Sequence, residues 1–375
     1  MTDLSRRSWL KGAGLMSSLA VIGGIAPLHQ LSAKEIKKFR PRPLTGNIKL
    51  SSNENPYGPS EKVRQAMISN FDQACRYPFS YSGELIEKIA AKEGVSKDHI
   101  VLAGGSTEGL KVVGLTYGMN GGEIIAAQPT FLALMTYAAQ WGGSVNWVPV
   151  DKNMMHDLDE MEKRISSKTK LIFLCNPNNP TSTLLPADRV LDFCNTVSDK
   201  VTIFSDEAYC DFIEDKNYPS MVSLVKKGKN IIVSKTFSKV YGLAGLRIGY
   251  MVAKPEIAAG LRKNIMAFTN VLAIEAAKNA LDDQEFYDFS LNKTREAKKI
   301  ILEGLDDLNL EYAPSNTNFI FFKSGRNIEK LQQQMLAKGI MVGRPFPPFD
   351  DWCRISTGTL EEVIQFNDAL KKVLS

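Results

Sequence analysis

Past residue 80 the apolar positions fall into two alternating textures. Short runs that are apolar at nearly every position predict strands at 99–103, 123–127, 171–175, 201–205, 231–234 and 247–252. Segments whose apolar residues recur every three to four positions predict helices at 83–92, 108–118, 131–141 and 188–197. A strand that is apolar on both faces belongs in a sheet covered on each side by helices. The alternation therefore predicts an α/β unit with a mostly parallel, doubly wound sheet.

The texture changes after Pro255. Helical patterns run over 257–265, 272–281, 284–308 and 328–338, with strands at 318–323, 340–343 and 352–356. Thr359 and Glu362 stand at capping-box spacing and open a final helix to Leu374. These elements read as a smaller α+β domain. The expected organisation is a leader at 1–33, an N-terminal arm and part of the small domain at 34–78, the large domain at 79–265 and the small domain at 266–375. A long shared helix, in place of a loose tether, is expected to join the two.

The chain has 375 residues, 44% hydrophobic and 23% charged, which is enough to bury a core in each of two domains. A net charge of +5 without a Lys/Arg run gives no basic surface for nucleic acid. His29, His99 and His156 are scattered, and no His/Cys spacing fits zinc, so no metal is expected. Cys75, Cys175, Cys194, Cys210 and Cys353 form an odd, unpatterned set, which reads as free and mostly buried thiols.

The N-terminus carries Ser5-Arg6-Arg7-Ser8-Trp9-Leu10-Lys11 ahead of an uncharged, Gly/Ala/Ser-rich stretch to Leu28. It resembles a twin-arginine export signal, with Trp9 where Phe is usual, and implies a periplasmic protein cleaved near Ala33. A retained membrane anchor is the alternative, at the lower edge of spanning length.

Five local segments offer the groups that a carbonyl cofactor with an anionic tail needs. Ala103-Gly104-Gly105-Ser106-Thr107-Glu108 follows a strand, with glycines for close approach and Ser106 as a helix N-cap, a phosphate-binding arrangement. Ser205-Asp206-Glu207-Ala208-Tyr209 puts a carboxylate at a strand end. Asn176-Pro177-Asn178-Asn179-Pro180-Thr181 is a proline-locked turn. Gln128-Pro129-Thr130-Phe131 supplies an aromatic face. Ser234-Lys235-Thr236-Phe237-Ser238-Lys239, followed by Arg247, sets a lysine and an arginine eight residues apart around a small-residue turn. Each is unremarkable alone: a turn, a strand-end acid, a core phenylalanine, a solvated lysine.

In order along the chain they resemble the fold-type I pyridoxal-phosphate aminotransferases (class I/II), and the histidinol-phosphate aminotransferase-like branch in particular. The resemblance implies pyridoxal 5'-phosphate as cofactor and Lys239 as the catalytic amine that carries it. It implies Ser106, Thr107, Thr236, Ser238 and Arg247 for the phosphate, and Phe131 for ring stacking. Asp206 would pair with the ring nitrogen, and Asn179 and Tyr209 with the phenolic oxygen. Ser182 stands where this family has a glycine. Tyr77, in Arg76-Tyr77-Pro78, would reach the neighbouring subunit's phosphate, which implies a homodimer. Asn55 and Tyr57, in Asn53-Glu54-Asn55-Pro56-Tyr57, would fold over the substrate. Arg354 would clamp a substrate carboxylate or phosphate, with Arg344 as a second clamp one position later than this branch places it.

The implied activity moves an amino group between an amino acid, or histidinol phosphate, and a 2-oxo acid or related carbonyl acceptor. A decarboxylase or lyase on the same scaffold is the alternative enzyme, because the cofactor supplies the electronics for all three. A non-catalytic periplasmic binding module is the alternative outside enzymes.

Overall fold

The computed structural model describes residues 46–375. The leader at 1–33, its cleavage point and the first part of the 34–78 arm lie outside the described residues. Those described belong to one compact unit, Pro41–Ser375.

Among the described residues, eleven strands are numbered in chain order. They are β1 (Ile48–Lys49), β2 (Ile100–Ala103), β3 (Glu123–Gln128), β4 (Ser144–Pro149), β5 (Thr169–Cys175), β6 (Thr202–Asp206), β7 (Ile231–Thr236), β8 (Gly249–Ala253), β9 (Phe319–Lys323), β10 (Ile340–Met341) and β11 (Trp352–Ser356). The large sheet has seven strands in the order β2-β8-β7-β6-β5-β3-β4. β8 runs antiparallel to both its neighbours, and every other pair is parallel.

The period of two sorts the strand residues between two cores. Ile172, Leu174, Ile203, Ile231 and Val233 enter the core on one face. Leu171, Phe173, Cys175, Phe204 and Ile232 enter the other. Both faces are dry, which is why these strands read as continuous apolar runs. The expected doubly wound α/β fold is the observed one.

β4 was not among the expected strands. It is the sheet edge, and its residues are mostly half-buried, so Ser144-Val145-Asn146-Trp147 lacks the apolar run of a central strand.

The smaller unit pairs β1 with β10 and β9 with β11. Its core holds Leu50, Phe322, Ile355, Val363 and Phe366. The last helix, Leu360–Leu374, begins with the expected capping box at Thr359 and Glu362. The shared helix is Gln284–Asp307. Its early residues Tyr287 and Leu291 pack on the large core, and Ala297, Ile301 and Leu305 enter the small one.

The expected boundary after residue 265 does not coincide with a change of core. The helix Val271–Leu281 sends Ala273, Ile274, Ala276 and Ala277 into the large core. The 34–78 arm is also divided, with Leu50 in the small core and Val63 in the large one. Packing therefore puts the change of domain inside Gln284–Asp307.

The cysteines are free: Cys175, Cys194 and Cys353 are buried, Cys210 is half-buried and Cys75 is exposed. Among the described residues no helix is long and apolar enough to cross a membrane.

Candidate active site

The parallel strands β3, β5, β6 and β7 end at one edge of the sheet, the usual place for ligands in this architecture. The segments after those ends surround a cavity of about 460 Å³. Ser106, Thr107, Phe131, Asn179, Asp206, Tyr209, Ser238, Lys239, Arg247, Arg344 and Arg354 all line it.

Asp206 closes β6 and is 3% exposed. Its Oδ1 accepts the Ala208 N–H at 3.2 Å. Burial pushes its pKa up to about 7, against the pull of Lys239. A carboxylate held this way gains from a cationic partner placed beside it.

Lys239 donates from Nζ to the Asn53 carbonyl at 3.0 Å and lies 5.4 Å from the Tyr209 ring centroid. Burial, then the Arg354 charge, bring its pKa down to about 8. Lys235, four residues earlier, is the contrast. Burial opposes its charge too, but the facing Glu207 and Glu93 carboxylates outweigh burial and hold it protonated. Of the two lysines in this motif, Lys239 offers a neutral amine near neutral pH.

The phosphate loop differs in one detail. Gly105, at φ 77°, is the N-cap of the helix Ser106–Gly118, and Ser106 is its first residue. A Cβ on Gly105 would collide with Arg247 Nη2, so a glycine is what lets the guanidinium lie on the loop. Arg247 Nη2 approaches the Gly104 carbonyl at 3.4 Å and Thr107 Oγ1 at 3.5 Å. Thr236 is tied to Ser238, donating Oγ1 to its Oγ at 3.0 Å, and lies behind the cavity wall.

Arg354 lies on β11, 8% exposed. It donates Nη1 to Asn179 Oδ1 at 2.8 Å and Nη2 to the Ser51 carbonyl at 2.6 Å, while its buried Nε has no partner. Burial lowers its pKa to about 10. Arg344 reaches the same cavity from the exposed side, stacked 4.3 Å over Phe346.

Besides Thr236, three nominated residues do not line the cavity. Asn55 donates Nδ2 to the Val240 carbonyl at 2.8 Å and to Ser290 Oγ at 3.0 Å, anchoring the strap 51–57 from outside. Tyr57 is buried edge-on against Phe289 at 5.2 Å. Tyr77 is 78% exposed and stacks on Phe79, away from this chain's own cavity. Ser182, in the position of the missing glycine, adopts φ 60° and still closes its turn, donating its N–H to the Asn178 carbonyl at 2.8 Å.

Asn53 and Ser356 are residues that the sequence reading passed over. Asn53 is 2% exposed, at φ 52°, and donates Nδ2 to the Tyr209 hydroxyl at 3.0 Å. Ser356 bonds it twice, at 2.6 and 2.7 Å. The only hint in the sequence was an asparagine, which tolerates a left-handed conformation, in a polar turn.

The chain matches the family Aminotransferase class I and II over residues 45–370. It is 38% identical to the histidinol-phosphate aminotransferase of Moorella thermoacetica, over 88% of this chain and 86% of that one. It is 36% identical to that of Caldicellulosiruptor saccharolyticus, over 87% and 92%. Its fold is similar to the crystal structure of histidinol-phosphate aminotransferase from Sinorhizobium meliloti in complex with pyridoxal-5'-phosphate. There the TM-score is 0.81 at 26% identity, covering 88% of this chain and 91% of that one.

Proposed function

This chain belongs to the aminotransferase class I and II family and is a pyridoxal-phosphate-dependent aminotransferase, and from that premise we propose how its residues divide the work and what they act on. It moves an amino group between a small-molecule donor and a carbonyl acceptor.

The residues present fit the cofactor. Gly105 leaves a cradle under Arg247 that a side chain would fill, Asp206 is a buried acid short of a cation, and Lys239 is a buried amine of lowered pKa. Bound at Lys239, pyridoxal phosphate supplies the electron sink that makes the substrate Cα–H acidic. Ser106, Thr107, Ser238 and Arg247 hold its phosphate, with Thr236 behind Ser238. Asp206 keeps the ring nitrogen protonated, Phe131 stacks on the ring, and Asn179 and Tyr209 serve the phenolic oxygen. Lys239 would hold the cofactor, and its amine would be placed to move the proton at the substrate Cα.

The unpartnered Nε of Arg354 carries the substrate reading. A buried guanidinium with an unmade bond is suited to the fork of a carboxylate. We assign Arg354 to the carboxylate of a 2-amino acid and its 2-oxo counterpart, with Arg344 at the mouth for a second anion. Histidinol phosphate, which the relatives' names specify, would present a phosphate to the same pair.

A panel of amino acids and histidinol phosphate tests this on loaded protein. Amine transfer to the cofactor, read by its absorbance, with equal release of oxo product is the expected result. Arg354→Lys should raise KM for the carboxylate substrates about 10- to 100-fold. Carbon dioxide release without amine transfer would favour the decarboxylase alternative.

The active unit is a homodimer in this reading. Ile68, Phe71, Tyr77, Phe79 and Phe268 are each at least 65% exposed, an apolar surface that a second copy would cover. Tyr77, on that surface, would complete the partner's phosphate site. Mixing Lys239→Ala subunits with Tyr77→Ala subunits should restore activity that neither has alone, by pairing the intact lysine with the intact tyrosine. Absence of any gain would place Tyr77 elsewhere.

We also propose export by the twin-arginine route, on the strength of Arg6-Arg7 ahead of the uncharged stretch. Replacing both arginines by lysine should leave the protein in the cytoplasm. An unchanged location would end this proposal.

A further inference from the structure

The side chain of Tyr209 is aimed by two amides, and both amides are themselves aimed from β11. Ser356 Oγ lies 2.7 Å from the Asn53 backbone N–H and 2.6 Å from Asn53 Oδ1. The hydroxyl accepts the N–H and donates its one hydrogen to Oδ1. In that pairing Asn53 Nδ2 is left to donate to the Tyr209 oxygen at 3.0 Å. Asn179 repeats the logic. Arg354 Nη1, which can only donate, takes Asn179 Oδ1 at 2.8 Å, and Asn179 Nδ2 faces the same Tyr209 oxygen at 3.5 Å.

Tyr209 therefore receives two N–H donors, and its own hydrogen is left for the cavity. The register is orderly. Positions 354 and 356 share one face of β11, and they grip the strap at Ser51 and Asn53 respectively. Asn53 also gives its carbonyl to Lys239.

We propose that Asn53 is a positioning residue: held by Ser356, it turns the Tyr209 O–H towards the cofactor's phenolic oxygen and so links the strand that carries Arg354 to the tyrosine and lysine of the large domain. This rests on the aminotransferase reading of the site. It follows that the strap 51–57 does more than cover the substrate, since one of its residues sets the hydrogen-bond direction beneath it.

The probe is the visible chromophore of the loaded protein, titrated with pH. The groups that face Lys239 are Asp206 and Tyr209 from the β6 side, Arg247 beyond β7, Arg354 from β11 and Glu54 from the strap. None of these is itself substituted in Asn53→Gly, which can keep the left-handed backbone and the carbonyl but removes the amide that holds Tyr209. A Tyr209 O–H no longer turned towards the phenolic oxygen stabilises its anion less, which raises the chromophore's pKa. The expected shift is about one unit upward, with kcat lowered about tenfold and KM for the amino donor little changed. Ser356→Ala should move the titration in the same direction, and Ser356→Thr should restore it.

A wild-type titration in Asn53→Gly would overturn the inference. So would reduced cofactor occupancy with an unmoved midpoint, which marks a merely structural role. If the unmutated protein takes up no cofactor or transfers no amine, the reading of the site fails instead, and the two failures are distinguishable.

Discussion

Borohydride reduction of the loaded protein should leave a pyridoxyl group on Lys239 and on no other lysine. Lys239→Ala should lower turnover at least about 10⁴-fold. That is the upper range for losing a general acid–base alone, and here the nucleophile is lost as well. Peptide mapping and a single-turnover assay check the two halves. Label on Lys235 would overturn the site.

The electrostatics give this prediction a pH arm. With a pKa near 8, Lys239 in the cofactor-free protein should react with amine reagents with a midpoint near pH 8, where an ordinary lysine requires pH above 10. The sign for stability follows from the same shift. The folded-state pKa lies below the unfolded one, so the folded state disfavours the ammonium. Its penalty is fully present below pH 8 and fades as pH rises towards 10.4. Lys239→Ala should therefore keep or raise the midpoint of thermal unfolding at pH 7. A marked fall in that midpoint would mean the lysine also holds the fold together.

What the sequence made legible follows from burial. β5 and β6 were readable because both their faces are dry and their side chains uniformly apolar. β4, at the edge, and β1, two residues long, carry no such run, and β1 pairs with a strand nearly 300 positions later. The site divides in the same way. Asp206, Asn179, Arg247 and Lys239 belong to local motifs at strand ends, and those motifs carry the family resemblance. Asn53 depends on a strand 303 positions later and on its own left-handed backbone, and no local pattern encodes either. Its neighbours Asn55 and Tyr57, in the same segment, turn the opposite way and anchor the strap. Ser106 is a smaller case: Gly105 took the cap, because the loop needs a positive φ before the helix can start.

The largest stability effect should come from the other lysine of the motif. Lys235 Nζ lies 2.9 Å from Glu93 Oε2 and 3.7 Å from Glu207 Oε2, and both carboxylate side chains are 6% exposed. Glu93 also accepts the Tyr250 hydroxyl at 2.6 Å, and Glu207 accepts Ser220 Oγ at 2.6 Å and the Met221 N–H at 2.8 Å. Removing the one cation bonded to this pair among the described residues leaves two like charges in a dry site. Breaking a buried pair in this way costs about 3–5 kcal/mol. Lys235→Met should therefore destabilise by that amount in denaturant unfolding at pH 7 to 8. The deficit has a direction in pH. Burial already raises the Glu207 pKa, and without the lysine it should titrate higher still. A carboxyl whose folded pKa is raised loses stability as pH climbs from its unfolded value through its folded one. The deficit should thus be smaller near pH 5 than at pH 8. The surviving fold should still accept the cofactor at Lys239. If Lys235→Met costs less than about 1 kcal/mol, as an exposed pair would, the cluster is solvated and the contrast between the two lysines is lost.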